Sequence, residues 1–294
     1  MTLHQDEIVV GEALVRRLIA EQCPQWSGLP LGPAGAGTEN TMFRLGKELL
    51  VRLPRTVEKA AALCTEREWL PRLAPYLPLR VPEPVFAGEA SAAFPAQWSV
   101  LRWIPGAEAG ADSVRDWSRF GTDLAGFVRA LHRVDLMGAQ LSWYRGGDLA
   151  PCDGWVSDAL ASCRRLIGAE LDVDAVESFW RAGLAQPVSP HPRVWLHGDL
   201  KPTNLLVEDG RLVAVIDFGA VSVGRPDAEH ATVWDLPSAA REAYWNTLSL
   251  DEATWLRARA WAVAVAVSGI AYYWDTFPTF VTECRTRLTH LLSS

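Results

Sequence analysis

Lysine is nearly missing from this chain, with 3 among 294 residues against 25 arginines, a bias expected of a GC-rich bacterial genome. Cysteine is scarce as well: Cys23, Cys64, Cys152, Cys163 and Cys284 are odd in number, widely spaced and contain no C-x-x-C pair. That excludes a disulfide framework and a cysteine zinc site, and it suits a reducing, cytoplasmic setting. No basic segment followed by an apolar run opens the chain, whose first charged residues are Asp6 and Glu7, so export is not expected. No apolar run is long enough for a membrane span either. The longest, residues 260–274, has fifteen residues bounded by Arg257, Arg259 and Asp275, against the roughly 18–20 that cross a bilayer. It reads as a buried core helix, with no membrane partner. Positive charge is in deficit: a net charge of −7 argues against general nucleic-acid binding, which needs a positive field to displace counterions. A cationic small molecule is the more natural partner.

What the chain does have is core. With 49% hydrophobic and 21% charged residues it lies far from the composition of disordered chains. The first 104 residues alternate short elements. Val10, Leu14 and Leu18 have helical spacing up to Pro24. A glycine cluster at residues 32–37, with Thr38, leads into the strand Met42–Leu45, and a turn at Gly46-Lys47 leads into the strand Leu49–Leu53. A helix is expected from about Val57 to Leu73, with Leu63, Glu66, Leu70 and Leu73 on one face. Glu66 therefore points inward and Glu68 away. The segment 81–85 reads as an extended edge because of Pro82 and Pro84, and Trp98–Ile104 reads as a strand stopped by Pro105-Gly106.

Beyond residue 104 helical patterns dominate: Trp117 to Val134, Gly154 to Ile167, Asp174 to Leu184, Ser238 to Tyr244, Leu250 to Trp274 and Thr279 to Leu292. They are broken only by the strand Val194–Leu196 and a hairpin of residues 205–207 with 213–216 through Asp209-Gly210. The fold class is α+β in two lobes: a small first lobe, residues 1–104, with an antiparallel sheet and a helix, and a larger, mostly helical lobe, residues 105–294. The linker lies at about 100–106. Acidic and basic residues balance at eleven each through Ile104, so the whole deficit of seven lies in the second lobe. Two readings of that excess stand: solvated helix faces, or an acidic wall for a polycationic acceptor.

The segment His197-Gly198-Asp199-Leu200-Lys201-Pro202-Thr203-Asn204, followed after the hairpin by Asp217-Phe218-Gly219, carries the chemistry. In a kinase catalytic loop an Asp accepts the proton of the acceptor hydroxyl, an Asn five residues later binds Mg²⁺, and the Asp of a D-F-G motif binds Mg²⁺ as well. Both halves occur here in that order and spacing. Phosphoryl transfer consists largely of positioning and of neutralising triphosphate charge, and these residue types supply both. On that reading Asp199 is the catalytic base and Asn204 with Asp217 hold the metal.

His-Gly before the Asp, together with a helical second lobe, resembles the aminoglycoside phosphotransferase family, a kinase-like fold, more than protein kinases. The resemblance extends to Val51-Arg52-Leu53-Pro54, the helix bearing Glu66, Val81-Pro82-x-Pro84, Trp103-Ile104-Pro105-Gly106 and Gly224-x-Pro226. It implies that Arg52 grips the α- and β-phosphates of ATP, with GTP an open alternative, and that Glu66 holds Arg52. A buried Glu on an apolar face independently calls for a cationic partner. Gly35, Gly37 and Thr38 are then placed to cover the triphosphate, although the incomplete glycine motif also reads as an ordinary turn. Adenine is expected against the Arg102 carbonyl and the Ile104 N–H, with Leu101 lining the pocket. Lys201 has two readings, a cation at the transferring phosphoryl group or a surface Lys. His197 is expected to brace the loop. The family usually places an Asp that supports the catalytic loop where this chain has Glu229, and the longer Glu is expected either to shift the loop or to bind substrate.

Fourteen tryptophans are present, ten of them beyond residue 104. Most belong in a core, while Trp143, Trp155, Trp234 and Trp274 are candidates for stacking on an acceptor ring. The reading as a whole is an ATP- and Mg²⁺-dependent O-phosphotransferase acting on a small hydroxylated acceptor, an aminoglycoside or another hydroxylated antibiotic. The alternatives are a metabolic kinase of the choline, homoserine or sugar type, and a nucleotide-binding pseudokinase. Monomer and homodimer are both open.

Overall fold

In the computed structural model, which describes residues 6–139 and 146–293, the glycine-bearing segment opens a five-stranded antiparallel sheet. Helix α1 (Glu12–Gln22) precedes the strands β1 (Leu31–Ala36), β2 (Asn40–Leu45) and β3 (Leu49–Pro54). Helix α2 (Ala60–Leu73) then leads to β4 (Pro84–Gly88) and β5 (Trp98–Arg102). The strand order is β1-β2-β3-β5-β4, so the proline-bearing β4 takes an edge, where a missing N–H costs least. Alternation along β3 decides the site. Val51 and Leu53 enter one core with Val15, Leu18 and Ile19 of α1 and with Trp98 and Val100 of β5. Arg52 takes the other face, opposite Met42 and Ser99, and there it meets α2.

The inward face of α2 is the expected one, with Leu63, Glu66, Leu70 and Leu73 buried and Glu68 exposed. The helix begins three residues later than its periodicity suggests, after a turn in which Thr56 Oγ1 accepts the Lys59 N–H at 3.4 Å. Gly88 is required by packing. It lies opposite Trp98, whose ring would stand 2.0 Å from a Cβ at that position.

A second unit begins at β6 (Ala107–Glu108) and continues through α3 (Trp117–His132), α4 (Asp153–Ile167) and α5 (Val173–Leu184). Then come β7 (Val194–Leu196), β8 (Leu205–Glu208), β9 (Arg211–Val215) and β10 (Ser222–Gly224). Helices α6 (Ser238–Leu248), α7 (Glu252–Tyr273) and α8 (Pro278–Leu292) complete the described chain. Asp116, Asp172 and Asp251 cap α3, α5 and α7 by accepting a backbone N–H three residues on, which satisfies donors that a helix start leaves unpaired. Gly121 lets α3 approach the Ala240 carbonyl of α6, which a Cβ would meet at 2.1 Å. The residue 260–274 stretch lies largely within α7 as a core helix, and no helix among the described residues is long and apolar enough to cross a membrane. All five cysteines are free, and burial pushes Cys23 to about 11 and Cys163 and Cys284 to about 12.

Two features were absent from the sequence reading. Residues 226–235 form a 3₁₀ run between β10 and α6, with almost every side chain buried. Residues 214–220 group with the first unit, residues 1–106, and the second unit comprises 107–213 and 221–294. The sequence reading places 214–220 in the second lobe. Hydrogen bonding and packing decide otherwise: the Val215 N–H donates to the Arg80 carbonyl at 3.0 Å, and the turn Phe218–Ala220 packs against α2.

Candidate active site

Within the first unit, the site is built around Arg52. Its Nη1 donates to both carboxylate oxygens of Glu66, at 2.9 and 2.8 Å, and its Nη2 donates to Asp217 Oδ1 at 3.1 Å. Arg52 and Glu66 are almost fully buried, while the Asp217 side chain is 46% exposed. Burial works against the Arg52 charge, but Glu66 and Asp217 outweigh it and raise its pKa above the usual value. The cation is therefore permanent, with Nε still lacking a hydrogen-bond partner. Asp217 itself sits at φ 64°, in the left-handed region that non-glycine residues seldom adopt. Such strain persists where surroundings over-determine it, and it is concentrated at functional sites.

The other residues expected to meet a nucleotide are also in this unit. Gly35 lies in β1 at φ 101°, beside the irregularity in the β1–β2 register. Gly37 and Thr38 form the turn into β2, where the Gly37 N–H donates to Asn40 O at 3.0 Å and its carbonyl accepts Arg55 Nε at 2.8 Å. Leu101 is buried in β5. Arg102 ends that strand with its side chain outward, on Glu83, and Ile104 is half-buried two residues later.

In the second unit, β7 leads into the segment His197–Asn204, the candidate catalytic loop, and the backbone is pinned on both sides of Gly198. Glu229, from the 3₁₀ run, accepts the N–H groups of His197 and Gly198 at 2.8 Å each. His197 Nδ1 accepts the Asp199 N–H at 3.2 Å, so that nitrogen carries no proton and the ring braces the loop, as expected. Gly198 lies at φ 80°, which explains a glycine before Asp199. Asn204, buried in the turn Pro202–Asn204, donates through Nδ2 to the Asp199 carbonyl at 2.8 Å and to Asp199 Oδ2 at 3.1 Å. With Nδ2 thus committed, the carbonyl Oδ1 is the Asn204 atom suited to a cation. Such an amide oxygen is a hard donor of the kind that suits Mg²⁺; in the first unit, the second carboxylate oxygen of Asp217 is another.

Lys201 approaches α8. Its Nζ stands 5.3 Å from the Phe280 ring centroid and 4.0 Å from Glu283 Oε2. Burial pushes the Glu283 carboxyl up, and Asp235 and Asp199 add to that against Lys201 and Arg287. Neither Phe280 nor Glu283 had a signal in the sequence, because no motif links α8 to the loop. The sequence reading has Glu229 shifting the loop or binding substrate; its carboxylate instead accepts two N–H groups of the loop backbone and holds the loop in place. Asp227, two residues earlier, forms a buried ion pair with Arg257 at 2.7 Å.

The acidic excess of the second unit is partly consumed in pairs: Arg164 with Asp174 and Glu177, Arg181 with Asp153, and Arg287 with Asp235. The candidate stacking tryptophans separate. Trp234 is fully buried with its ring 4.4 Å from Trp255, which removes it as an acceptor contact. Trp155 and Trp274 are half-buried, and Trp143 lies outside the described residues.

A catalytic-loop Asp clasped by an Asn five residues on, and an Arg–Glu–Asp chain beneath a glycine-bearing strand pair, define a kinase-like phosphotransferase. The chain belongs to the phosphotransferase enzyme family (APH), whose model matches residues 31–261. It is a small-molecule kinase. No curated protein matches the sequence closely enough to add to this. Among solved structures, the GDP and kanamycin complex of APH(2")-IIia is similar, with a TM-score of 0.77 at 18% identity over 95% of this chain and 98% of that one. The streptomycin–ATP–APH(2")-IIa ternary complex has a TM-score of 0.64 at 17% identity over 98% of both chains. Macrolide 2'-phosphotransferase MphH from Brachybacterium faecium has a TM-score of 0.62 at 23% identity over 93% of this chain and 97% of that one.

Proposed function

We propose that this kinase transfers the γ-phosphoryl group of ATP, with Mg²⁺, to a hydroxyl of an aminoglycoside or another hydroxylated antibiotic. The clasp of Asn204 on Asp199 carries the reading, since it ties the oxygen that would take the proton to the residue that would bind the metal. Asp199 accepts the hydroxyl proton, the freed oxygen forms a bond to the γ-phosphorus, and the bond from that phosphorus to the β-bridging oxygen breaks to release ADP. Arg52, held by Glu66, binds the α- and β-phosphates. Asn204 and Asp217 hold Mg²⁺, which neutralises triphosphate charge when bound. Gly35, Gly37 and Thr38 cover the phosphates with backbone N–H groups. The base meets the Arg102 carbonyl, the Ile104 N–H and Leu101. Lys201 adds the cation that favours charge developing on the transferred group.

Support for an antibiotic acceptor comes from the kanamycin, streptomycin and gentamicin complexes among the similar structures, and from Glu283, a carboxylate beside Lys201 that suits an amine. A macrolide acceptor is the second reading. It is favoured by Tyr273, Phe277 and Phe280, whose rings pack together next to Lys201 and offer an apolar face. ADP release with MgATP across aminoglycosides, macrolides and common hydroxylated metabolites tests both, with Asp199→Ala as the blank. That substitution should cost about 10³-fold or more in turnover and leave nucleotide affinity nearly unchanged. Full activity of Asp199→Ala would sink the assignment.

A further inference from the structure

Behind the catalytic segment, wholly within the second unit, lies a cavity of about 340 Å³ bordered by the C-terminal end of α3, the approach to β7, and the loop between α6 and α7. Its polar lining is basic in a chain that is acidic as a whole: Arg129, Arg133, His132, His191 and His230 against the single carboxylate of Asp251. That carboxylate is engaged as the cap of α7, accepting the Thr254 N–H at 2.7 Å. His191 and His230 have partners, Thr254 Oγ1 at 3.2 Å and Tyr244 Oη at 2.8 Å. His132 Nε2 is buried without a hydrogen-bond partner, which costs stability, and it exposes no surface to the cavity. Arg129 is fixed at the wall by donating through Nη2 to the Thr247 carbonyl, while Arg133 is exposed.

Apart from Ser249 and Thr254, the remaining lining is apolar: Pro192, Val194, Pro226, Leu248 and Leu250. The volume exceeds what a bare ion fills and lies in the range of small-molecule sites. We propose that this cavity is a second ligand site, separate from the phosphoryl-transfer residues, which takes a small carboxylate carrying an apolar body. The carboxylate meets the two guanidinium groups, and the body lies on the proline and leucine wall. Burial, with His230 close by, lowers the His132 pKa to about 3, so that ring is neutral and the charge is supplied by the arginines.

Benzoate is the probe, with benzamide as its neutral counterpart and acetate as the carboxylate lacking a body, read by calorimetric titration and thermal melting of the full chain. Benzoate at ten times its Kd should raise Tm by about 3 °C, with benzamide and acetate far weaker. Arg129→Ala and Arg133→Ala each remove one guanidinium group, and each should weaken benzoate about tenfold or more. Leu250→Trp, which fills the cavity and leaves every charge in place, should abolish binding. The proposal is overturned if the wild-type protein does not bind benzoate, if benzamide or acetate binds as tightly, or if Leu250→Trp binds benzoate as the wild type does.

Discussion

Asn204 holds Asp199 at two points, the backbone carbonyl and the carboxylate Oδ2. Its amide nitrogen therefore sets the orientation of the Asp199 carboxylate, and its amide oxygen lies outside that clasp. Asn204→Ala should lower kcat by at least about a hundredfold, and the Mg²⁺ concentration for half-maximal activity should rise with it. Steady-state kinetics over a Mg²⁺ titration separates the two effects. An unchanged Mg²⁺ requirement would leave Asn204 with the orienting role alone.

The buried pair of Arg52 and Glu66 is expected to couple stability to nucleotide binding. Removing one member of a buried ion pair leaves an uncompensated charge and costs about 3–5 kcal/mol. In Glu66→Gln the amide keeps one hydrogen bond, so the loss of Tm should be smaller than in Glu66→Ala. In both variants Arg52 is released towards Asp217 and KM for ATP should rise about tenfold or more. A variant that melts early but keeps the wild-type KM would confine the pair to the fold.

Glu229 is the longer acidic residue where the family usually has Asp, and its two oxygens each take one backbone N–H. Glu229→Gln replaces an acceptor with a donor facing an N–H, at a cost of about 1–3 kcal/mol. Tm and kcat should fall together, with KM for ATP little changed. Wild-type kcat in that variant would show that the loop holds its shape without the strut.

Acid should destabilise the protein earlier than its carboxylates would require. Burial lowers the pKa of both His132 and His230 to about 3, their neighbouring histidines adding to the effect. Between the ordinary histidine value of about 6.5 and about 3, the unfolded chain binds protons that the folded chain refuses. Stability is then complete above about pH 6.5 and falls as the pH drops, by up to about 1.4 kcal/mol per unit for each ring. Urea melts from pH 7.5 to 4.5 measure the slope. His132→Phe should reduce it, and a flat profile would mean that these rings do not govern it.

Periodicity placed Glu66 inward among Leu63, Leu70 and Leu73, because side-chain direction on a helix follows from spacing alone. The catalytic segment was legible for a related reason: Asp199 and Asn204 are brought together by a single turn of local chain. Trp234 was not legible as core, since a large aromatic reads alike in a core or at a ligand until its neighbours are known. Gly88 gave no sign of its partner, because the Trp98 ring above it comes from another strand.

The sequence by itself determined most of the strand and helix pattern, the candidate reacting residues, and the need of Glu66 for a cation, all of which depend on residue type and short spacing. The tertiary structure decided which groups hold those residues in place. Glu229 reaches His197 and Gly198 across more than thirty residues, Asp217 joins Arg52 in the first unit, and Lys201 lies against α8. Contacts of that separation arise only when whole elements pack, and no local pattern of side chains encodes them.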